Sequence, residues 1–321
     1  VDGDALDRWI ATGDLDELLR EVDRACDRAD WEGLVLLRDR ARAATERGHQ
    51  LWPAASFAEY RLALQAPGAF AADVVAAGGG YLAPGPLTEV AAQEHGFAEL
   101  DPWLPAGPQR DLVRQERVLR GDDLRSVEAG DDLPGTLLPW EPAYPLAEYR
   151  PDGARFPAPV LPVPRDACAG RDRPPCPDAE DGARALEEAV RHWASHSEGR
   201  VRAVGVEGTV GDAVATVRRG RARMVEVALP DAVALLAWSA ASGGARGRRR
   251  GMATGRFEAW WVLAVLSACE DRWPTDPGAA AGELRWYLWS PEEPPVGWSC
   301  RVGVEDPADG LAWALDATDR A

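Results

Sequence analysis

The densest chemistry in this chain is a Gly/Arg stretch between Ser239 and Phe257. Arg246, Arg248, Arg249, Arg250 and Arg256 supply five positive charges there, with no acidic residue between them. Gly243, Gly244, Gly247, Gly251 and Gly255 are interleaved with them. Glycine lets backbone amides come close to a ligand. The apolar run from Phe257 to Ala268 reads as a helix, whose positive N-terminus would face the same place. The combination predicts a cradle for a small phosphate-containing ligand or an acidic protein surface. It is not a P-loop, because G-x-x-x-x-G-K-[ST] is absent, and it does not follow a strand as G-x-G-x-x-G does.

Two other readings fit the same residues. Gly243, Gly247, Gly251 and Gly255 recur every four positions and, in one continuous helix, would form a strip for close packing. Interior glycines cost about 1 kcal/mol each relative to alanine, so a loop is expected instead. The arginines can also pair internally, because the chain carries 53 Asp and Glu.

His192 and His196 come next. Four apart in a helical segment, they share a face with Glu188. An H-x-x-x-H pair can hold a metal, but Trp193-Ala194-Ser195 fills its middle, without the glutamate of H-E-x-x-H, and no third ligand is marked. They read as solvated surface histidines, and no cofactor is expected. Ser239 and Ser242 have no evident base, and no G-x-S-x-G elbow occurs. Glu292-Glu293 sits in a Pro-rich turn and reads as solvated. Nine of the fourteen tryptophans lie at or beyond Trp193; their place in apolar stripes predicts core packing over stacking on bases or sugars.

Composition qualifies the basic stretch. The chain has no Lys and no Asn, and Ile10 is its only Ile, so all 36 basic residues are Arg. These absences follow the codon bias of a GC-rich genome, and arginine is here the default cation rather than a chosen one. A net charge of -17 and a pI near 4.7 argue against nucleic-acid or anionic-membrane partners. Cys26, Cys168, Cys176, Cys269 and Cys300 are odd in number and scattered, which predicts free thiols in a reducing compartment. With no signal-peptide pattern and no apolar run near the roughly 20 residues of a bilayer span, a cytoplasmic location is expected.

These residues must be positioned by elements of two kinds. Residues 1–120 read as helix after helix: Leu15, Leu18, Leu19 and Val22 form one stripe behind the N-cap Asp14, Leu34, Leu37, Ala41 and Ala44 another, and Leu51, Ala55, Ala58 and Leu62 a third. Short turns predict a helical bundle or a helical-repeat-like array. Residues 121–178 are Pro-rich, with the acidic pairs Asp122-Asp123 and Asp131-Asp132 leading in. Their bulky members over 133–163 predict an extended strap packed on the helical half, and 165–178 reads as a flexible linker. Residues 179–321 alternate: helix 179–196, strand 201–207, helix 210–218, strand 222–229, helix 230–242, the Gly/Arg loop, helix 257–268, strands 284–289 and 298–305. A last helix over 307–318 is expected, with Asp306 as N-cap and Pro307 at N1. The expected architecture is an all-α domain followed by an α/β or α+β domain of about four strands.

Residues 242–261 (SGGARGRRRGMATGRFEAWW) and 297–315 (GWSCRVGVEDPADGLAWAL) are similar to uncharacterised proteins of high-GC bacteria classed as domains of unknown function. The resemblance implies no activity and no catalytic residue. The function that fits the residues is binding or scaffolding through an Arg/Gly anion-binding loop. The alternatives are an enzyme acting on a phosphorylated or nucleotide substrate, and a structural cluster whose arginines meet internal acids.

Overall fold

The computed structural model describes the chain except residues 2, 129, 131, 132, 294–296 and 321, so the acidic pair Asp131-Asp132 lies outside the described residues. The chain divides into two units. One comprises residues 1–131 with 147–156, the other 132–146 with 157–321.

The first unit is a helical bundle of α1 (Gly3–Thr12), α2 (Leu15–Asp27), α3 (Trp31–Glu46), α4 (Trp52–Gln65), α5 (Gly68–Ala76), α6 (Leu87–Glu94), α7 (Phe97–Leu100) and α8 (Pro108–Leu119). Asp14 caps α2 as its sequence position predicts, accepting from the Glu17 amide at 3.2 Å. Leu18, Val22, Leu34, Leu37, Ala41 and Ala44 are fully buried, so the apolar stripes are the core face. The centre is α4, which packs against α2, α3, α5 and α6. A linear repeat array would instead limit each element to its sequence neighbours.

A hairpin from the Pro-rich segment closes this unit: β1 (Glu148–Arg150) pairs antiparallel with β2 (Gly153–Arg155). Buried Tyr149 donates its hydroxyl to Glu89 Oε2 at 2.6 Å, and its amide donates to Gln93 Oε1 at 2.6 Å. Gly85 permits this fit, because a Cβ there would lie 1.9 Å from the Tyr149 hydroxyl. The strap expected over 133–163 is thus divided: its hairpin belongs to the helical unit, and residues 133–146 and 157–163 to the other.

The second unit carries β3 (Asp166–Cys168), α9 (Glu180–Val190), α10 (His192–Ser195), β4 (Arg200–Glu207), α11 (Val210–Val217), β5 (Ala222–Val227), α12 (Leu229–Ser242), α13 (Met252–Leu266), α14 (Gly278–Ala281), β6 (Arg285–Pro291), β7 (Trp298–Asp306) and β8 (Leu311–Asp319). One sheet runs β3-β5-β6-β7-β8-β4, every pair antiparallel. It has six strands where about four were expected. Alternate residues face opposite layers: Ala312 and Ala314 join the cluster under α11, while the Trp313 indole donates to Ala179 O at 2.9 Å, beside α9. Trp193, Trp260, Trp286, Trp289 and Trp313 are all buried.

Two expectations fail here. The final helix is strand β8, inserted between β7 and β4. Asp306 does bind amides, but those of Ala308 (2.8 Å) and Asp309 (3.3 Å), in a tight turn that Gly310 closes at φ +67°. A cap and a turn use the same Asp-Pro chemistry, and pairing on both sides overrides the weak strand propensity of Leu-Ala-Trp-Ala-Leu. Residues 165–178 are not a free linker either. β3 lies within them, and the Cys176 amide donates to Gly205 O at 2.9 Å on the outer edge of β4. Beside it, the Ala203 amide donates to Glu187 Oε1 at 2.6 Å.

Candidate functional site

The five glycines of the Gly/Arg stretch do two different jobs. Gly243 ends α12 in the left-handed region at φ +77°, and Gly244 follows at φ +84°. Such angles strain any residue with a Cβ. At Gly247 a Cβ would lie 2.0 Å from Gly243 O, so the loop doubles back on itself. Gly251, at φ +95°, starts α13. Gly255 is already helical: the helix starts at Met252 rather than Phe257. A Cβ on Gly255 would lie 2.2 Å from Ala237 O of α12. The loop reading therefore describes the first four positions, and the close-packing reading describes Gly255.

The loop backbone is pinned. Amides of Gly244, Ala245, Arg246 and Arg250 donate to Ser242 Oγ (3.3 Å), Asp319 Oδ2 (2.6 Å), Ser197 Oγ (3.1 Å) and Ala241 O (2.7 Å).

The arginines do not converge on one point. Arg256 is wholly buried and forms a bidentate pair with equally buried Glu141, Nε to Oε2 at 2.8 Å and Nη2 to Oε1 at 2.7 Å. It also donates to the carbonyls of Pro134 (3.2 Å) and Thr136 (3.1 Å) and lies over the Trp260 ring. Glu141 accepts further bonds from the Tyr144 hydroxyl, the Trp260 indole and the Leu138 amide. Burial alone would raise the Glu141 carboxyl, but the Arg256 guanidinium outweighs it and holds the carboxyl below its ordinary value. Arg250 pairs with Glu258 at 2.8 Å and touches His192 Nδ1 at 3.2 Å. Arg249 is buried. Arg246 and Arg248 are exposed, and Arg246 meets the exposed Glu198 at 2.8 Å.

The histidines separate as well. The helix expected over 179–196 breaks between α9 and α10 at Arg191. His192 is buried, contrary to its reading as a solvated residue. Burial first, then the charge of Arg250, lowers its pKa to about 4, so it stands neutral. His196 is exposed, with Nδ1 3.0 Å from Ser195 Oγ. Among the described residues no group of three His, Cys, Asp or Glu side chains could hold a metal. No helix among them is long and apolar enough to cross a membrane.

A second basic locus went unread in the sequence. Arg173, Arg202 and Arg219 line one cavity of about 630 Å³ with Asp172, Pro174, Pro175 and Thr216. They come from the segment after β3, from β4 and from the end of α11. No local pattern marks them, because convergence is tertiary and arginine is the chain's only strong cation.

No curated protein and no solved structure matches the chain. A family model does match it, over residues 16–321, which takes in both units apart from the first helix and its turn. By that match the chain belongs to a family of unknown function, DUF6183.

Proposed function

We propose that this is a binding protein whose Gly/Arg loop presents Arg246 and Arg248 to an acidic partner surface, with Arg250 and Arg256 holding the platform from within. The observation that carries this reading is the division of the loop. Its inner arginines face Glu258 and Glu141, its backbone is fixed by hydrogen bonds from four amides, and its outer two arginines reach solvent. A pinned loop loses little conformational freedom on binding, which favours recognition. On a chain of net charge -17, a local basic point also steers an acidic surface to one place.

The test is the double variant Arg246→Glu/Arg248→Glu, assayed for binding to poly-L-glutamate at low salt. The wild type should bind with an affinity that falls as salt rises, and the variant should not bind. A wild type that ignores the polyanion at every salt concentration ends this reading. The Arg246–Glu198 pair favours a second one, in which the whole cluster meets internal acids. In that case the double variant would lose stability, with no binding to lose.

A further inference from the structure

We infer that the cavity beside α11 is a binding site for a phosphorylated sugar, either free or as the ribose phosphate of a nucleotide. Three guanidinium groups from separate segments, Arg173, Arg202 and Arg219, line it against a single carboxylate, Asp172. A second carboxylate, Asp212, lies 3.7 Å from Arg173, so the three guanidinium groups keep a net positive charge that suits a phosphate, and their forks match its oxygens. Arginine's abundance carries no weight here, since it is the chain's default cation. What carries weight is that Arg202 and Arg219 form no ion pair among the described residues of a chain rich in acid. Arg218 is turned to Glu293 (2.7 Å) and Asp316 (3.4 Å). Its neighbour Arg219 is exposed and makes no ion pair or hydrogen bond among the described residues. Arg202 donates to the Val217 carbonyl at 3.2 Å, which orients its guanidinium without neutralising it. Arg173 has only a loose contact with Asp212, at 3.7 Å.

The walls are preformed. The Arg171 amide donates to Asp212 Oδ1 at 2.7 Å, and the Arg173 amide to Thr216 Oγ1 at 2.9 Å, so the segment after β3 is bolted to α11. Gly170 and Gly211 make this approach possible: a Cβ on Gly170 would lie 1.9 Å from Gly211 O, and one on Gly211 would lie 2.1 Å from Ala169 O. Pro174 and Pro175 stiffen the rim. The volume, about 630 Å³, falls within the range of small-molecule sites. It exceeds what a bare phosphate fills, and Asp172 can accept hydrogen bonds from the hydroxyls of an attached sugar.

The experiment is calorimetric titration of the full chain with ribose 5-phosphate, AMP, inorganic phosphate and unphosphorylated ribose at low ionic strength. The phosphorylated sugars should bind saturably and ribose should not; whichever of ribose 5-phosphate and AMP binds tighter assigns the source. Arg219→Ala and Arg202→Ala should each weaken binding about tenfold. Arg218→Ala, one residue away but turned to its own acids, should change it less than about twofold. Asp172→Asn should reduce the preference for ribose 5-phosphate over inorganic phosphate. Melting curves check that each variant is folded; Arg219 is exposed, so its removal leaves the fold intact. The proposal is overturned if neither phosphorylated sugar binds saturably, or if Arg219→Ala binds as the wild type does.

Discussion

Arg256 and Arg219 belong to the same unit and carry the same charged group, and their surroundings use it in opposite ways. Around Arg256, a carboxylate, two carbonyls and an indole ring satisfy every face of the guanidinium, and none of it reaches solvent. Arg219 forms no ion pair among the described residues, while its neighbour Arg218 takes Glu293 and Asp316, and Arg219 lines an open cavity. The Gly/Arg stretch is dense in sequence and disperses in space; the cavity arginines are dispersed in sequence and converge in space. Local charge density in a chain like this one marks where carboxylates are needed. A ligand is held where the charges remain unmatched.

The contrast is tested most severely at Arg256→Met. Removing one partner of a buried pair strands the other, here Glu141, at a cost of about 3–5 kcal/mol. Urea unfolding should show that loss, and a change below about 1 kcal/mol would mean that Arg256 does not anchor this unit. The next largest effect is at His192. Its folded pKa of about 4 lies below its ordinary 6.5. Between those values the unfolded chain takes up a proton that the folded chain refuses. Stability is therefore full above about pH 6.5 and declines as pH falls toward 4, by up to about 3 kcal/mol. Comparing thermal melts of the wild type and His192→Gln across that window checks the sign, since the variant's curve should lack this component. The smallest effect belongs to the outer loop arginines. Arg246→Ala/Arg248→Ala should move stability by no more than about 0.5 kcal/mol; a larger loss would erase the distinction between inner and outer arginines.

Much of the second unit was legible because periodicity and flanking turns agree over β4, α11, β5, α12, β6 and β7. β8 was not, since Asp306-Pro307 serves equally as a helix start and a turn, and its neighbours in the sheet lie far away in sequence. The true start of α13 was hidden by Gly255, a helix-weakening residue retained because Ala237 approaches too closely for a Cβ. Of the candidate site, the loop and its glycine turns could be read, but not the fate of each arginine. Glu141, which claims Arg256, lies 115 residues away in a Pro-rich segment that carries no periodic signal. The cavity arginines were illegible for the same physical reason: three segments well separated in sequence make the site.

The two hydrogen bonds on the outer rim of β4 have a consequence for how many copies of this chain can share one sheet. A bare strand edge is a template, and an incoming chain can add to it amide by amide. Here the Glu187 carboxylate takes the Ala203 amide, and the Cys176 amide takes the Gly205 carbonyl, so the middle of the template is occupied from within. At the far rim β3 is three residues long and offers little to pair with. The sheet is partly covered at one rim and short at the other, which works against edge-to-edge pairing between copies of this chain.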